Sequence, residues 1–352
     1  MTMKKYSLSA NIGSGMKGCA RYIITPNAKR VADEIVSQYE AGVHSFTIIG
    51  TYGTGKSCFL LEFEQELSLN GKCGLLGKRF PEVSGYDIIN IVGRYDSFER
   101  ILGSELACKC DGADVLEKLE EICKKSTNAS RMLVIAVDEF GKVLEYASKN
   151  DTDKELYFFQ QVSELINSPE YNALLLTTLH QNFSTYVSKL DMPQKKEWKK
   201  VKGRFKEIVF AEPVEQLLYL AAESIAGTPS DGDEKQIRGI LEIAKRTKFI
   251  SGNLSIEVMK RLYPLDAFSA AALTTAIQRY GQNERSLFSF LNSRGYGSLS
   301  EFRPSPDRTY SLCDVYDYIV RGLYSDLNDS ALDAMGWEAI RVAVERVETG
   351  EW

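Results

Sequence analysis

The chain has 352 residues, 44% of them hydrophobic and 26% charged, with a net charge of −5 at pH 7. Length and balance suit a globular chain that buries a full core, and no apolar run nears the ~18 residues that a membrane-spanning helix needs. The acid excess gives no global reason to expect nucleic-acid binding, so any such surface has to be local. Residues 1–25 are mixed polar and glycine-bearing, without the apolar stretch of a secretory signal, and a cytoplasmic location is expected. Seven cysteines without a framework spacing read as reduced thiols. Cys108 and Cys110, with Cys123 further on, lack the second pair or the histidines a zinc site takes, since only His44 and His180 exist.

In chain order, Thr25-Pro26 opens a helix with a hydroxyl cap and a proline at its first position. That helix is predicted to run to about Tyr39, and a buried strand follows over 45–49. A second helix carries Leu60, Phe63 and Leu67 on one face. Further strands are predicted at 87–92, 132–137, 173–178 and 208–210, with helices near 97–108, 113–125 and 152–167 between them. The second of these, Met132 to Val137, is apolar throughout, as buried parallel strands are. Strands alternating with helices predict an α/β fold with a parallel sheet covered on both faces, whose ligands bind at the carboxyl ends of the strands. From Pro213 the pattern is helical, with helices near 214–225, 234–246, 254–262, 266–280 and 284–292. The glycines and prolines of 294–310 read as a loop or linker, followed by two more helices.

Residues 50–57, Gly50-Thr51-Tyr52-Gly53-Thr54-Gly55-Lys56-Ser57, form a complete G-x-x-x-x-G-K-S phosphate-binding loop between strand and helix. Its glycines let the backbone amides, with those entering the helix at Cys58, close around a phosphate chain. Lys56 is expected to reach the β- and γ-phosphates, and the Ser57 hydroxyl to ligate Mg²⁺. The apolar strand 132–137 runs into Asp138-Glu139. Beside a phosphate loop, that pair predicts Asp138 as the second Mg²⁺ ligand and Glu139 as the group that polarises the attacking water. The strand at 173–178 ends in Thr177-Thr178-Leu179-His180-Gln181-Asn182; Thr178 is the first candidate for a polar sensor, with Thr177 and Asn182 behind it. Residues 195–206 hold seven basic residues and one acid, a solvated helix face or a contact for phosphates.

Taken together, the phosphate loop (Walker A), Asp138-Glu139 (Walker B), the polar strand end and Val201-Lys202-Gly203-Arg204-Phe205 before Ile208 resemble the AAA+ superfamily, above all its origin-recognition and initiator-like clade. Thr177 to Phe183, Lys202 to Phe205 and Asn283 to Phe288 are further similar to the N-terminal ATPase module of large bacterial anti-phage defence ATPases of BREX-like systems. The resemblance implies an N-terminal tail over 1–20, an ATPase core over 21–212, a helical lid over 213–293, and a linker with C-terminal helices over 294–352. It implies adenine near 21–26, Arg204 as an arginine finger reaching a neighbouring subunit, and Arg285 as a second sensor. ATP and Mg²⁺ are the implied cofactors, and a homo-oligomer with defence-system partner proteins the implied assembly, with DNA a possible partner and no membrane. The expected activity is Mg²⁺-dependent ATP hydrolysis driving assembly or conformational change in a larger complex. Two alternatives stand beside it: a slow ATP-gated assembly switch, and an initiator- or loader-type ATPase that binds DNA. No guanine-reading Asn-Lys-x-Asp is present, which favours ATP over GTP.

Overall fold

The computed structural model describes residues 12, 22–51, 53–69, 74–77, 80, 83–108, 112–187, 192–225, 229–250, 254–280, 287–292, 297–303, 308–322 and 331–350. The chain divides into two compact units, Ser9–Ala211 and, from Glu212 onward, a helical one.

The first unit is built around five parallel strands: β1 (Ser45–Ile49), β2 (Gly85–Val92), β3 (Arg131–Asp138), β4 (Ala173–Leu179) and β5 (Lys206–Val209). Their spatial order is β2-β3-β4-β1-β5, so β4 is inserted between the strand that leads into the phosphate loop and the strand that ends in the acids. This is a five-stranded parallel α/β sheet sandwiched by helices, with the phosphate-binding loop leaving its central part. β1, β3 and β4 are buried along almost their whole length, which explains the unbroken apolar runs of their sequences. Thr47 and Thr177 interrupt those runs, and their hydroxyls satisfy each other at 3.0 Å, with Thr177 donating to the Phe46 carbonyl.

Helices α1 (Pro26–Glu40), α2 (Lys56–Ser68), α3 (Phe98–Glu105), α4 (Gly112–Asn128), α5 (Phe140–Ala147), α6 (Thr152–Ile166) and α7 (Met192–Lys202) pack around this sheet. Thr25 caps α1 as expected, its hydroxyl accepting from the Ala28 amide at 3.0 Å. One face of the sheet is covered by α1 and α2 through Val31, Ile35, Phe59 and Phe63. The other is covered through an aromatic cluster of Phe98, Phe140, Phe158, Phe159, Phe183 and Phe205. Helix α5 was not predicted as a separate element; its eight residues follow the acids directly and prolong the apolar run of β3.

In the second unit, α8 (Val214–Ile225), α9 (Asp231–Arg246), α10 (Ile256–Leu262), α11 (Ala267–Tyr280) and α12 (Leu287–Asn292) share one core with α13 (Leu312–Gly322). A last helix, α14 (Ala331–Thr349), carries Met335, Ile340 and Val347 exposed. The described part of the stretch read as a loop or linker, 297–303 and 308–310, is irregular and turn structure. Leu299 and Tyr310 are buried in the same core as the preceding helices, and the Tyr310 hydroxyl donates to the Gly297 carbonyl at 2.5 Å.

Helix α2 buries an unusual amount of potential charge: Glu62, Glu64 and Glu66 are all under one-tenth exposed. Glu66 accepts from the Leu76 amide, and Glu64 accepts from the Asn90 side chain on β2 at 2.9 Å. Burial pushes the Glu64 carboxyl up to about 7; the Asn90 hydrogen bond opposes the shift and the Asp138 charge adds to it. A carboxyl whose native value is raised binds its proton more tightly folded than unfolded. Its contribution is therefore complete below the ordinary carboxylate range and is lost as pH rises toward 7. In nucleotide- and Mg²⁺-free protein, Glu64→Gln is expected to raise the melting temperature at pH 8 and to flatten its decline between pH 5.5 and 8. Thermal denaturation across that range checks this, and an unchanged slope in the variant refutes it.

Candidate nucleotide site

The phosphate loop leaves β1 at the carboxyl edge of the sheet. Gly50 is fixed between two neighbouring strands: its amide donates to the Leu179 carbonyl at 3.1 Å, and a Cβ on it would lie 2.3 Å from the Phe210 carbonyl oxygen. Gly53 and Gly55 adopt φ of 72° and 89°, the left-handed region that other residues enter at a cost. Helix α2 begins at Lys56, so the loop ends in free amides and the positive end of a helix dipole. The Lys56 ammonium donates to the carbonyls of Gly50 at 2.5 Å and Thr51 at 2.8 Å. Burial lowers its pKa to about 8, with Asp138 pulling the other way. Lys56 is thus buried inside the loop, next to where a phosphate chain would lie.

Across the inserted strand, Asp138 is 1% exposed. The Thr178 hydroxyl donates to its Oδ1 at 2.7 Å and accepts from the Glu139 amide at 2.9 Å; that amide also lies 3.1 Å from Asp138 Oδ1. The other oxygen, Asp138 Oδ2, is buried with no hydrogen-bond partner among the described residues. A buried, half-satisfied carboxylate is costly unless a cation or donor meets it. With the Ser57 hydroxyl at the head of α2, it makes the sparse oxygen set that Mg²⁺ takes when phosphates and waters complete its shell. No cluster of three or more His, Cys, Asp or Glu side chains suited to a metal is found among the described residues.

Glu139 has φ 55°, ψ 35°, a left-handed conformation uncommon for a side chain of this size. Such strain persists only when the surroundings impose it. Here the Gly93 amide donates to the Asp138 carbonyl at 2.7 Å, and a Cβ at Gly93 would lie 2.4 Å from the Glu139 carbonyl oxygen. The Glu139 carboxylate is ion-paired with Lys142, one turn on in α5. Neither Gly93 nor Lys142 was singled out from the sequence. Lys142 had a signal in its i+3 spacing from Glu139; Gly93 had none, because its need arises from the strand beside it. His180 follows β4, and burial lowers its pKa to about 4, the Lys56 charge adding to the shift and Asp138 opposing it; it is a neutral ring at pH 7.

The structure brings Lys56, Asp138, Glu139 and Thr178 to one edge of the sheet, around Gly50, Thr51, Gly53, Thr54, Gly55 and Ser57. Arg204 is not among them. β5 begins at Lys206, opposite Phe46, so Arg204 lies at the amino edge, about 13 Å of strand away from the loop. There it pairs with Glu164, and its carbonyl accepts from Asn167. Thr177 points into the sheet and is used there. Tyr52 and Arg285 lie outside the described residues. Cys58 is disulfide-bonded, which corrects the expectation of reduced thiols throughout; Cys108, Cys123 and Cys313 are free. Sequence spacing alone could not say which thiols the fold brings together.

Neither a protein-family model nor a curated protein sequence matches the chain. Among solved structures it is similar to the ORC2 protein of Aeropyrum pernix in its ADPNP–ADP complexes, at 13% identity over 72% of this chain and 71% of that one, with a TM-score of 0.41. It is also similar to AMPPCP-bound DnaA of Aquifex aeolicus, at 12% identity over 96% and 93%, TM-score 0.37. A third is PCH-2 of C. elegans, at 14% identity over 85% and 65%, TM-score 0.38. The fold assignment stands on the strand order and the loop, independently of these.

Thr178→Val keeps the shape of the side chain but removes a donor from Asp138 and an acceptor from the Glu139 amide. It is expected to cost about 1–3 kcal/mol of stability, read as a lower urea midpoint, with Thr178→Ser close to wild type. Equal midpoints for the valine and serine variants would show that the hydroxyl does not hold the acids.

Proposed function

We propose that this chain binds ATP and hydrolyses it with Mg²⁺. The reading is carried by one observation: a buried aspartate with an unpartnered oxygen, and a strained glutamate beside it, both tied to Thr178 on the strand next to the phosphate loop. In this reading the loop amides and Lys56 hold the β- and γ-phosphates of ATP. Ser57 and Asp138 hold Mg²⁺, which supplies charge neutralisation on the phosphate oxygens. Glu139 orients the attacking water in line with the γ-phosphorus and takes up its proton. Lys142 restrains the Glu139 carboxylate until substrate geometry draws it toward the water. Thr178 keeps Asp138 and Glu139 in register, so loss of the γ-phosphate is felt along β4.

Arg204 lies too far from the loop of its own chain to touch the same nucleotide. As an arginine finger it serves a second copy, and assembly is then required for full activity. The motif resemblance supports a further step, that turnover drives assembly or conformational change in a larger machine of bacterial anti-phage defence, in the cytoplasm. Such a machine would use either steady turnover or a slow ATP-gated assembly.

Glu139→Gln is expected to lower ATP turnover by about 10²–10⁴-fold while retaining ATP, whereas Lys56→Ala loses ATP binding. Phosphate release and nucleotide titration, each with light scattering, check both. A glutamine variant as active as wild type would refute Glu139 as the base. Arg204→Ala is expected to reduce turnover by about 10³-fold or more with ATP affinity unchanged, and wild-type specific activity is expected to rise with protein concentration. Activity independent of both would exclude a finger supplied by a neighbour.

A further inference from the structure

The sheet ends in two edge strands that are built differently. β5 has four residues and opens with an exposed lysine, Lys206, and the Arg30 guanidinium donates to its Val209 carbonyl at 2.8 Å. A short strand, a lysine and a covered carbonyl keep an edge from pairing with another chain. β2 has eight residues, pairs with β3 along all of them, and carries no lysine and no proline. Its one charged residue, Asp87, is neutralised by Arg131.

In a parallel ladder each residue turns its amide and its carbonyl to one side, and successive residues alternate. The Gly93 amide donates to β3 at the Asp138 carbonyl. Ile91, Ile89 and Asp87 therefore also face β3, while Val92, Asn90, Ile88 and Tyr86 face outward. The Tyr86 carbonyl is taken by the Arg131 guanidinium, which crosses over Gly85; a Cβ there would lie 2.5 Å from Arg131 Nη1. Beyond Tyr86 the protection stops. The outward amides and carbonyls of Ile88, Asn90 and Val92 have no hydrogen-bond partner among the described residues. Asn90 is exposed, and Ile88 and Val92 are half-buried.

We propose that the edge from Ile88 to Val92 pairs with the same edge of a second copy of this chain, antiparallel about a two-fold axis at Asn90. In that register Asn90 lies opposite Asn90, Ile88 opposite Val92 and Ile89 opposite Ile91. The three outward residues then meet three outward residues, each pair exchanging both of its N–H···O bonds. Side chains agree with backbone. Ile88 and Val92 lean toward the core under α1 and α2, Ile89 and Ile91 toward the opposite one, so apolar meets apolar on both faces and amide meets amide at the axis. A slip of one residue would set outward groups against inward ones and exchange the two faces. Of the remaining registers, none matches the three open residues among themselves. An edge that complements itself, without a charge from 88 to 92 to select another partner, is suited to a second copy.

The pairing would join two five-stranded sheets edge to edge through β2. It lies at the opposite margin of the sheet from β5, before which Arg204 stands, so it is independent of any contact that Arg204 makes. Val92, the last paired residue, precedes Gly93, whose amide holds the Asp138 carbonyl. Strand addition therefore braces the segment that presses on Glu139.

The test is sedimentation velocity of the full chain without nucleotide, from about 1 to 100 µM, with circular dichroism of each variant. Wild type is expected to form a dimer as concentration rises. Ile88→Pro removes one outward amide without breaking the ladder to β3, and is expected to raise the dimer dissociation constant at least about 10-fold. Asn90→Lys and Asn90→Asp each set like charges face to face at the axis; each alone is expected to be monomeric, and their equimolar mixture to dimerise. The mixture separates loss of pairing from loss of folding. Arg204→Ala is expected to dimerise like wild type. Four results would overturn the proposal: a wild type monomeric throughout, a dimer unchanged by Ile88→Pro, a mixture no more dimeric than its components, or a dimer lost in Arg204→Ala and kept in the edge variants.

Discussion

A single hydroxyl on an inserted strand decides how the two acids of this chain are held. Thr178 reaches Asp138 and the Glu139 amide only because β4 separates β1 from β3. Were β3 directly beside β1, the acids would face the phosphate loop with nothing between them. The insertion puts a polar strand end at the centre of the site and gives it two neighbours to satisfy: a carboxylate and an amide. The left-handed turn at Glu139 follows from the same arrangement. Gly93 presses on its carbonyl from the β2 side and Thr178 takes its amide from the β4 side, so the backbone has one way to leave the strand.

Electrostatics around that turn are unusually dry. Lys56, Asp138 and Glu64 are each under one-tenth exposed, and the His180 ring is held neutral by burial and by Lys56. In such a medium charges interact more strongly than at the surface, and each depends on its neighbours being in the expected protonation state. Lys56 and Asp138 oppose each other in sign. Glu64, lower on α2 and bonded to Asn90, has its carboxyl pushed up to about 7 by burial, so near neutrality it carries only part of a second negative charge behind Asp138.

Much of the core was legible because it obeys periodicity. Apolar strands of five to eight residues alternating with helices, a glycine-rich loop at a strand–helix junction, and two acids at a strand end are local patterns. The parallel sheet they predicted is the one found. What was not legible depends on which strands become neighbours. Gly93 is an ordinary strand-end glycine until β3 lies beside it with a left-handed residue at its tip. Glu64 looks like a surface glutamate of an amphipathic helix until β2 offers Asn90. The stretch from 294 to 310 has the composition of a separator, yet Leu299 and Tyr310 tie it into the helical core. Arg204 was found by its place before β5, and that same place puts it on the edge remote from the loop.

That remoteness has a consequence for symmetry. An interface in which Arg204 of one copy meets the phosphate loop of the next is either reciprocal, in a two-fold pair, or head-to-tail, joining two different surfaces. Repetition of the head-to-tail contact either closes into a ring or continues as a helical filament, depending on the rotation per step. In an open chain of copies, one terminal copy always presents a loop without an arginine and the other an arginine without a loop. Only closure completes every site, so the geometry of one strand edge would set whether the number of active centres equals the number of subunits or falls one short.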